Sequence, residues 1–157
     1  MAIPVIGADA PDFALPTDDG GTASKAALAG RRFVLYFYPK DNTEGCTLEA
    51  IDFSARAAAF EAAGTSVIGV SPDSIRSHCR FRDKHALAIR LASDPDHAVC
   101  EAYGVWQEKQ MFGRRYMGVV RSTFLVGADG RIAAVWSPVR VDGHAEAALA
   151  MARQLGP

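Results

Sequence analysis

Apolar positions along the chain switch between two spacings. Residues 31–39, "RRFVLYFYP", form an unbroken apolar run of strand length, as does "TSVIGVS" at 65–71. Runs of this kind predict strands buried on both faces. "LAIRLAS" at 87–93 is a weaker strand of the same type. Between these runs the pattern becomes helical. Residues 46–63 are alanine-rich, lack Gly and Pro, and stop at Gly64. Asp73 or Ser74 is placed to cap a helix reaching about Ala86. "DPDHAVCEAYG" reads as a short helix closed by Gly104, and "GHAEAALAMARQLGP" as a terminal amphipathic helix. At the front, "DFALPTDDGGT" predicts a strand, a turn at Asp19-Gly20-Gly21 and a return. "SKAALAG" then predicts a short helix from Ser24 to a stop at Gly30. "VRSTFLVGADGRIAAVW" predicts a hairpin turning at Asp129-Gly130. The stretch before it, "VWQEKQMFGRRYMGV", reads as a loop.

Strands interleaved with helices, followed by a terminal hairpin and helix, describe a three-layer α/β domain with a mixed sheet. At 157 residues, with no repeat, linker or low-complexity run, residues 1–157 read as one domain. Such a chain buries enough surface to need no covalent staples.

Composition narrows the function classes. The 17 Lys and Arg balance 18 Asp and Glu, without a basic block. The densest basic piece, residues 76–84, alternates with polar and apolar residues, which fits a solvated helix face and argues against a nucleic-acid partner. There is neither a signal-like N-terminus nor an apolar run of membrane-spanning length. Three widely spaced cysteines, at 46, 79 and 100, are too few and odd in number for a secreted disulfide scaffold. They fit a reducing cytoplasm, where disulfides are transient and catalytic. The four histidines form no recognised zinc spacing, and "DDGG" and "GADG" are turn signals rather than phosphate loops.

The chemistry concentrates in "YFYPKDNTEGCTLEA", residues 36–50. Cys46 follows a strand-to-loop passage and opens a helix. The first N–H groups of a helix lack intrahelical partners and lie at the positive end of its dipole, which favours a thiolate. Thr43 offers a hydroxyl within reach of that sulfur. Pro39 ends the strand and can screen the sulfur from water. Gly45 permits close approach to the backbone. A lone cysteine in such a place is often only a small apolar residue. The Pro-x-x-x-Thr-x-x-Cys spacing after a buried strand favours a nucleophile.

That segment resembles the active-site segment of peroxiredoxins, and more narrowly of the peroxiredoxin Q, or bacterioferritin comigratory protein, subfamily. "GADAPDFALPTDDG", "VIGVSPDSIRSHCRFRDKH" and "LASDPDHAVCEAYGVWQEKQMFGRRYMGVVRSTFLVGADGRI" extend the likeness over essentially the whole chain. The resemblance implies a thioredoxin-like fold with an N-terminal β-hairpin and a thiol-dependent peroxidase that needs no metal or organic cofactor. It implies hydroperoxide substrates, thioredoxin or another thiol as reductant, and a monomer or weak dimer. Carried over position by position, Cys46 matches the peroxidatic cysteine, and Thr43 and Pro39 its loop partners. Arg121 matches the arginine that completes the site, and Glu49 a carboxylate that orients it.

The resolving thiol has two readings. One family position for it, five residues after Cys46, is Ile51 here; another matches Arg82. Cys79 lies one helical turn before Arg82, on the flank of its helix, where it can resolve or merely pack. Without it, the enzyme would be a one-cysteine type reduced by an external thiol. Cys100, in "HAVCEAYG", is expected to be structural. A thioredoxin-like oxidoreductase would favour a Cys-x-x-Cys pair, and Glu49 occupies the second place. A redox sensor or binding module on the same fold, oxidised without turnover, is the alternative function.

Overall fold

The structure, a computed structural model, describes residues 2–155. Its centre is a five-stranded mixed sheet. β3 (Arg32–Phe37) lies in the middle, parallel to β4 (Thr65–Ser71), which is parallel to β5 (Arg90–Ser93). On its other side β3 runs antiparallel to β8 (Ser122–Val126), and β8 to β9 (Ile132–Trp136). The alternation of a strand explains the two cores. Phe33, Leu35 and Phe37 point to one face with Ile68, Val70, Phe124 and Val126. Val34, Tyr36 and Tyr38 point to the other with Val67 and Leu125.

The second face is covered by α1 (Glu44–Ala55), α2 (Ala57–Ala62), α3 (Ile75–His85) and α5 (His144–Gln154). The first is covered by the N-terminal hairpin of β1 (Ala14–Pro16) and β2 (Thr22–Ser24), together with α4 (Ala98–Ala102). The thioredoxin-like α/β class, the mixed sheet and the N-terminal hairpin are therefore all present.

Tyr36 fixes α1 over the sheet. Its ring stacks on Phe53, with centroids 4.6 Å apart, and lies over Gly69 of the neighbouring strand. A Cβ at Gly69 would come within 2.6 Å of that ring, so only glycine leaves room for it.

Three local expectations change. Residues 25–30 form successive turns rather than a helix. Ser24 Oγ does accept from Ala27 N–H and Gly30 takes a positive φ, but the N–H of Leu28 is shared between two carbonyls and the run is too short to propagate. The long helix begins at Glu44, with Thr43 as N-cap, and breaks at Arg56 into α1 and α2. The stretch read as a loop is a hairpin of β6 (Trp106–Met111) and β7 (Arg114–Val119), paired over six positions. Its sequence alternation is obscured because most of the hairpin is open to solvent, so neither face must be apolar. Phe112 and Gly113, both with positive φ, make its tight turn, and Phe112 is 97% exposed.

Candidate active site

The end of β3 delivers the chain to a short loop, and the loop delivers Cys46 to the first turn of α1. Cys46 is the third residue of that helix and is 1% exposed. Thr43 takes an extended N-cap conformation but caps nothing with its side chain. Its hydroxyl donates to the carbonyl of Lys40 at 2.8 Å and is not engaged with the sulfur. The first-turn N–H groups of α1 are thus left without a capping side chain. Pro39 is half-buried between strand and loop.

Arg121 comes from the segment just before β8, next to the strand that leads to Cys46. Its backbone carbonyl is held by the N–H of Val139 at 2.9 Å. One guanidinium nitrogen donates to Cys46 Sγ at 3.3 Å, and another to Glu49 Oε1 at 2.7 Å. Glu49 lies one turn beyond Cys46 on α1, on the same face. A Cβ at Gly45 would stand 3.1 Å from the Arg121 guanidinium, a tight approach to which the arginine would have to yield.

The electrostatics follow from burial and charge. Glu49 has almost no exposed side chain, and burial pushes its carboxyl up to about 7 despite the opposing pull of Arg121. Burial also opposes the charge on Arg121, but the Glu49 carboxylate and the Cys46 sulfur outweigh it and hold the guanidinium above its ordinary value. A cation fixed beside a sulfur favours negative charge on that sulfur. It also offers a donor to an oxygen that gains charge nearby.

Sequence reasoning missed a second cation. Lys109, on the hairpin, lays its stem over Gly118 and donates from Nζ to the carbonyl of Val119 at 3.0 Å, two residues before Arg121. Burial and the Arg121 guanidinium lower its pKa, while the Cys46 sulfur pulls the other way. Reading residues 105–119 as a loop removed the strand register that brings Lys109 back toward the site.

A buried polar cluster beneath the loop was missed as well. Asp41, Asp73 and His78 bring potential metal-ligand atoms within 4.8 Å of one another. Their atoms are nevertheless committed to protein partners. His78 Nδ1 meets Asp41 Oδ2 and its Nε2 meets the Ala92 carbonyl, while Asp73 Oδ2 accepts from Asp41 N–H and Ser71 Oγ.

The other cysteines lie elsewhere. Cys79 is half-buried on α3, and its thiol donates to the carbonyl of Asp18 at 3.4 Å. Arg82 faces the same way, with NH1 3.2 Å from Asp18 Oδ2. Ser77, on the opposite flank of α3, bonds to Asp41 at the root of the Cys46 loop. Cys79 therefore faces the N-terminal hairpin rather than Cys46. Ile51 projects from α1 toward solvent. Cys100 is fully buried.

A family model described as the AhpC/TSA family matches residues 6–135. A putative peroxiredoxin bcp of Coxiella burnetii is 48% identical over 139 residues, covering 88% of this chain and 92% of that protein. Peroxiredoxin Bcp of Bacillus subtilis is 45% identical over 144 residues, or 92% of each chain. Among solved structures, peroxiredoxin Q of Xanthomonas campestris superposes with a TM-score of 0.89 at 41% identity, covering 95% of this chain and 97% of that one. A structure concerned with the alkyl peroxide reduction activity of the X. campestris bacterioferritin comigratory protein gives 0.90 at 39% identity, covering 98% of this chain and all of that one.

Proposed function

The chain belongs to the AhpC/TSA family and is a thiol-dependent peroxidase of the peroxiredoxin Q kind, and from that premise we propose that Cys46 is its nucleophile, with Arg121, Thr43, Pro39 and Glu49 as the groups that serve it. The observation that carries this reading is the Arg121 guanidinium, which bridges Cys46 Sγ and the buried carboxylate of Glu49.

In this reading the Cys46 thiolate attacks one oxygen of a hydroperoxide. An S–O bond forms as the O–O bond breaks, and sulfur gives up two electrons. The departing hydroxide or alkoxide takes a proton and leaves as water or alcohol. Arg121 and the uncapped N–H groups of α1 stabilise its growing charge, a preorganised arrangement aimed at the transition state. Glu49 orients the guanidinium. Thr43 sets the helix start, and its hydroxyl reaches the reacting atoms only by leaving the Lys40 carbonyl. Pro39 walls the loop.

Cys46 sulfenic acid must then be returned to thiol. Cys79 is our candidate resolving thiol: its sulfur attacks the sulfenic sulfur, a disulfide forms and water leaves. A disulfide requires the two Cα atoms within about 7 Å. Cys79 faces Asp18, so both the start of α1 and the exposed flank of α3 must unwind. A thioredoxin-type dithiol would reduce the product. By its family resemblance we take the enzyme to be cytoplasmic and monomeric or weakly dimeric, without a membrane partner, and its balanced charge argues against a nucleic-acid partner.

One experiment tests the cycle. After one equivalent of hydrogen peroxide, a non-reducing peptide map should contain a Cys46–Cys79 link. Oxidised Cys46 with Cys79 still free would make this a one-cysteine enzyme served by an external thiol. An unreacted Cys46 would defeat its assignment as nucleophile.

A further inference from the structure

The loop that carries Cys46 is fastened at one end by a cluster the peroxide chemistry does not use. His78 is wholly buried on α3. Its Nε2 stands 2.9 Å from the carbonyl oxygen of Ala92, which can only accept, so Nε2 carries hydrogen. Its Nδ1 stands 2.7 Å from Asp41 Oδ2 and 3.4 Å from the Tyr38 hydroxyl. The same Oδ2 accepts from Ser77 Oγ at 2.8 Å, and Oδ1 accepts from the Tyr38 hydroxyl. The backbone N–H of Asp41 donates to Asp73 Oδ2 at 2.8 Å. A buried network satisfied in this way has few alternative arrangements.

Beyond Asp41 the chain changes character. Asn42 takes a positive φ, and Asn42, Thr43 and Glu44 are exposed. The buried anchor lies five residues before Cys46, and beyond it only exposed contacts follow, Asn42 Oδ1 to His85 Nε2 at 3.3 Å and the Thr43 hydroxyl to the Lys40 carbonyl at 2.8 Å. We infer that the Asp41–His78 pair is a positioning device for the peroxidase reaction: it fixes the root of the loop and sets how often residues 42–46 unwind to uncover the sulfur. This rests on Cys46 being the nucleophile.

The two halves of the cycle would respond in opposite ways. Attack on peroxide needs the folded loop, with Arg121 against the sulfur. Attack on the sulfenic acid by a second thiol needs it open. Cys46 is 1% exposed, so a bulky reagent also reaches it only through opening.

The test uses a Cys79→Ser/Cys100→Ser background, in which Cys46 is the only thiol. The rate of alkylation by N-ethylmaleimide reads opening. Stopped-flow oxidation by hydrogen peroxide reads the folded-loop reaction, and amide exchange in β3 and β4 reads global unfolding. Asp41→Ala and His78→Gln should each speed alkylation by roughly tenfold or more, since each removes a hydrogen bond to a charged group. Both should slow oxidation while leaving β3 and β4 protection in place. The double variant should open no more than the worse single one, because the two residues act as a unit. Ser77→Ala, which removes one donor and keeps the pair, should open the loop less. Unchanged alkylation in both single variants overturns the inference. So does a rise matched by equal loss of β3 protection, or additive effects in the double variant. If Cys46 of the parent fails to react with peroxide, the nucleophile assignment falls, while alkylation still reports on the latch.

Discussion

Cys46 and Cys100 occupy equivalent places and sit in opposite surroundings. Each is the third residue of a helix that follows a strand of the central sheet, and each is buried. At Cys46 a guanidinium touches the sulfur, and the N-cap side chain leaves the helix N–H groups uncapped. At Cys100 the Asp94 carboxylate takes those N–H groups, accepting from Val99 at 3.2 Å and from Cys100 at 2.8 Å. Burial first, and then Asp94, push the Cys100 thiol well above its ordinary value. A helix start and a dry environment do not by themselves activate a thiol. The sign of the nearest charge, and whether the helix donors are already used, separate the two sites.

The comparison breaks most sharply by exchange of the sulfurs. Cys46→Ser should abolish peroxide consumption in a coupled assay, whereas Cys100→Ser should retain it. Equal losses would erase the distinction. Next in size is Arg121→Ala, which removes the cation that Cys100 lacks. Peroxide reduction should slow by about 100- to 1000-fold, with the far-ultraviolet circular dichroism unchanged. Normal rates in that variant would remove Arg121 from the site.

A smaller effect concerns Glu49. Its carboxyl is raised from 4.5 to about 7 in the fold, so the native state holds its proton more tightly than the unfolded chain does. On this account stability falls as pH rises from about 4.5 to about 7. Over the upper part of the same window the charged partner of Arg121 is established. The pH profile of kcat/KM for peroxide should therefore carry a limb near pH 7 that Glu49→Gln lacks. The smallest effect is on the inert side. Asp94→Asn should cost about 1–3 kcal/mol in urea unfolding, because it weakens a cap on buried N–H groups. It should also make Cys100 more readily alkylated, without peroxidase activity.

Much of this was legible in the sequence, and the reasons are physical. The strands around Cys46 are buried on both faces, so their apolar runs stand out, and the spacing from Pro39 to Cys46 spans only a short loop and the first turn of α1. Arg121 is 75 residues from Cys46 along the chain. Only family resemblance singled it out, because an arginine before a strand is otherwise a surface residue. Local spacing cannot report a contact made by β3–β8 pairing. Asp41 and His78 were hidden for the same reason: each is ordinary in its own segment, and their meaning lies in a contact across the fold. The β6–β7 hairpin was hidden because open strands need not alternate. Thr43 was expected to reach the sulfur, and its hydroxyl instead meets a backbone carbonyl closer at hand, that of Lys40.

That hairpin carries a consequence for how the enzyme can be taken apart. Arg114 and Arg115 stand exposed beside its tip, which makes the tip a natural place for trypsin to cut. A nick there leaves Cys46 and Glu49 on one fragment and Arg121 on the other. The two pieces remain joined by the β3–β8 register from Phe33↔Val126 to Phe37↔Ser122 and by both cores. The fold thus supplies a natural seam for a split protein, each half of which holds only part of the Cys46–Glu49–Arg121 cluster.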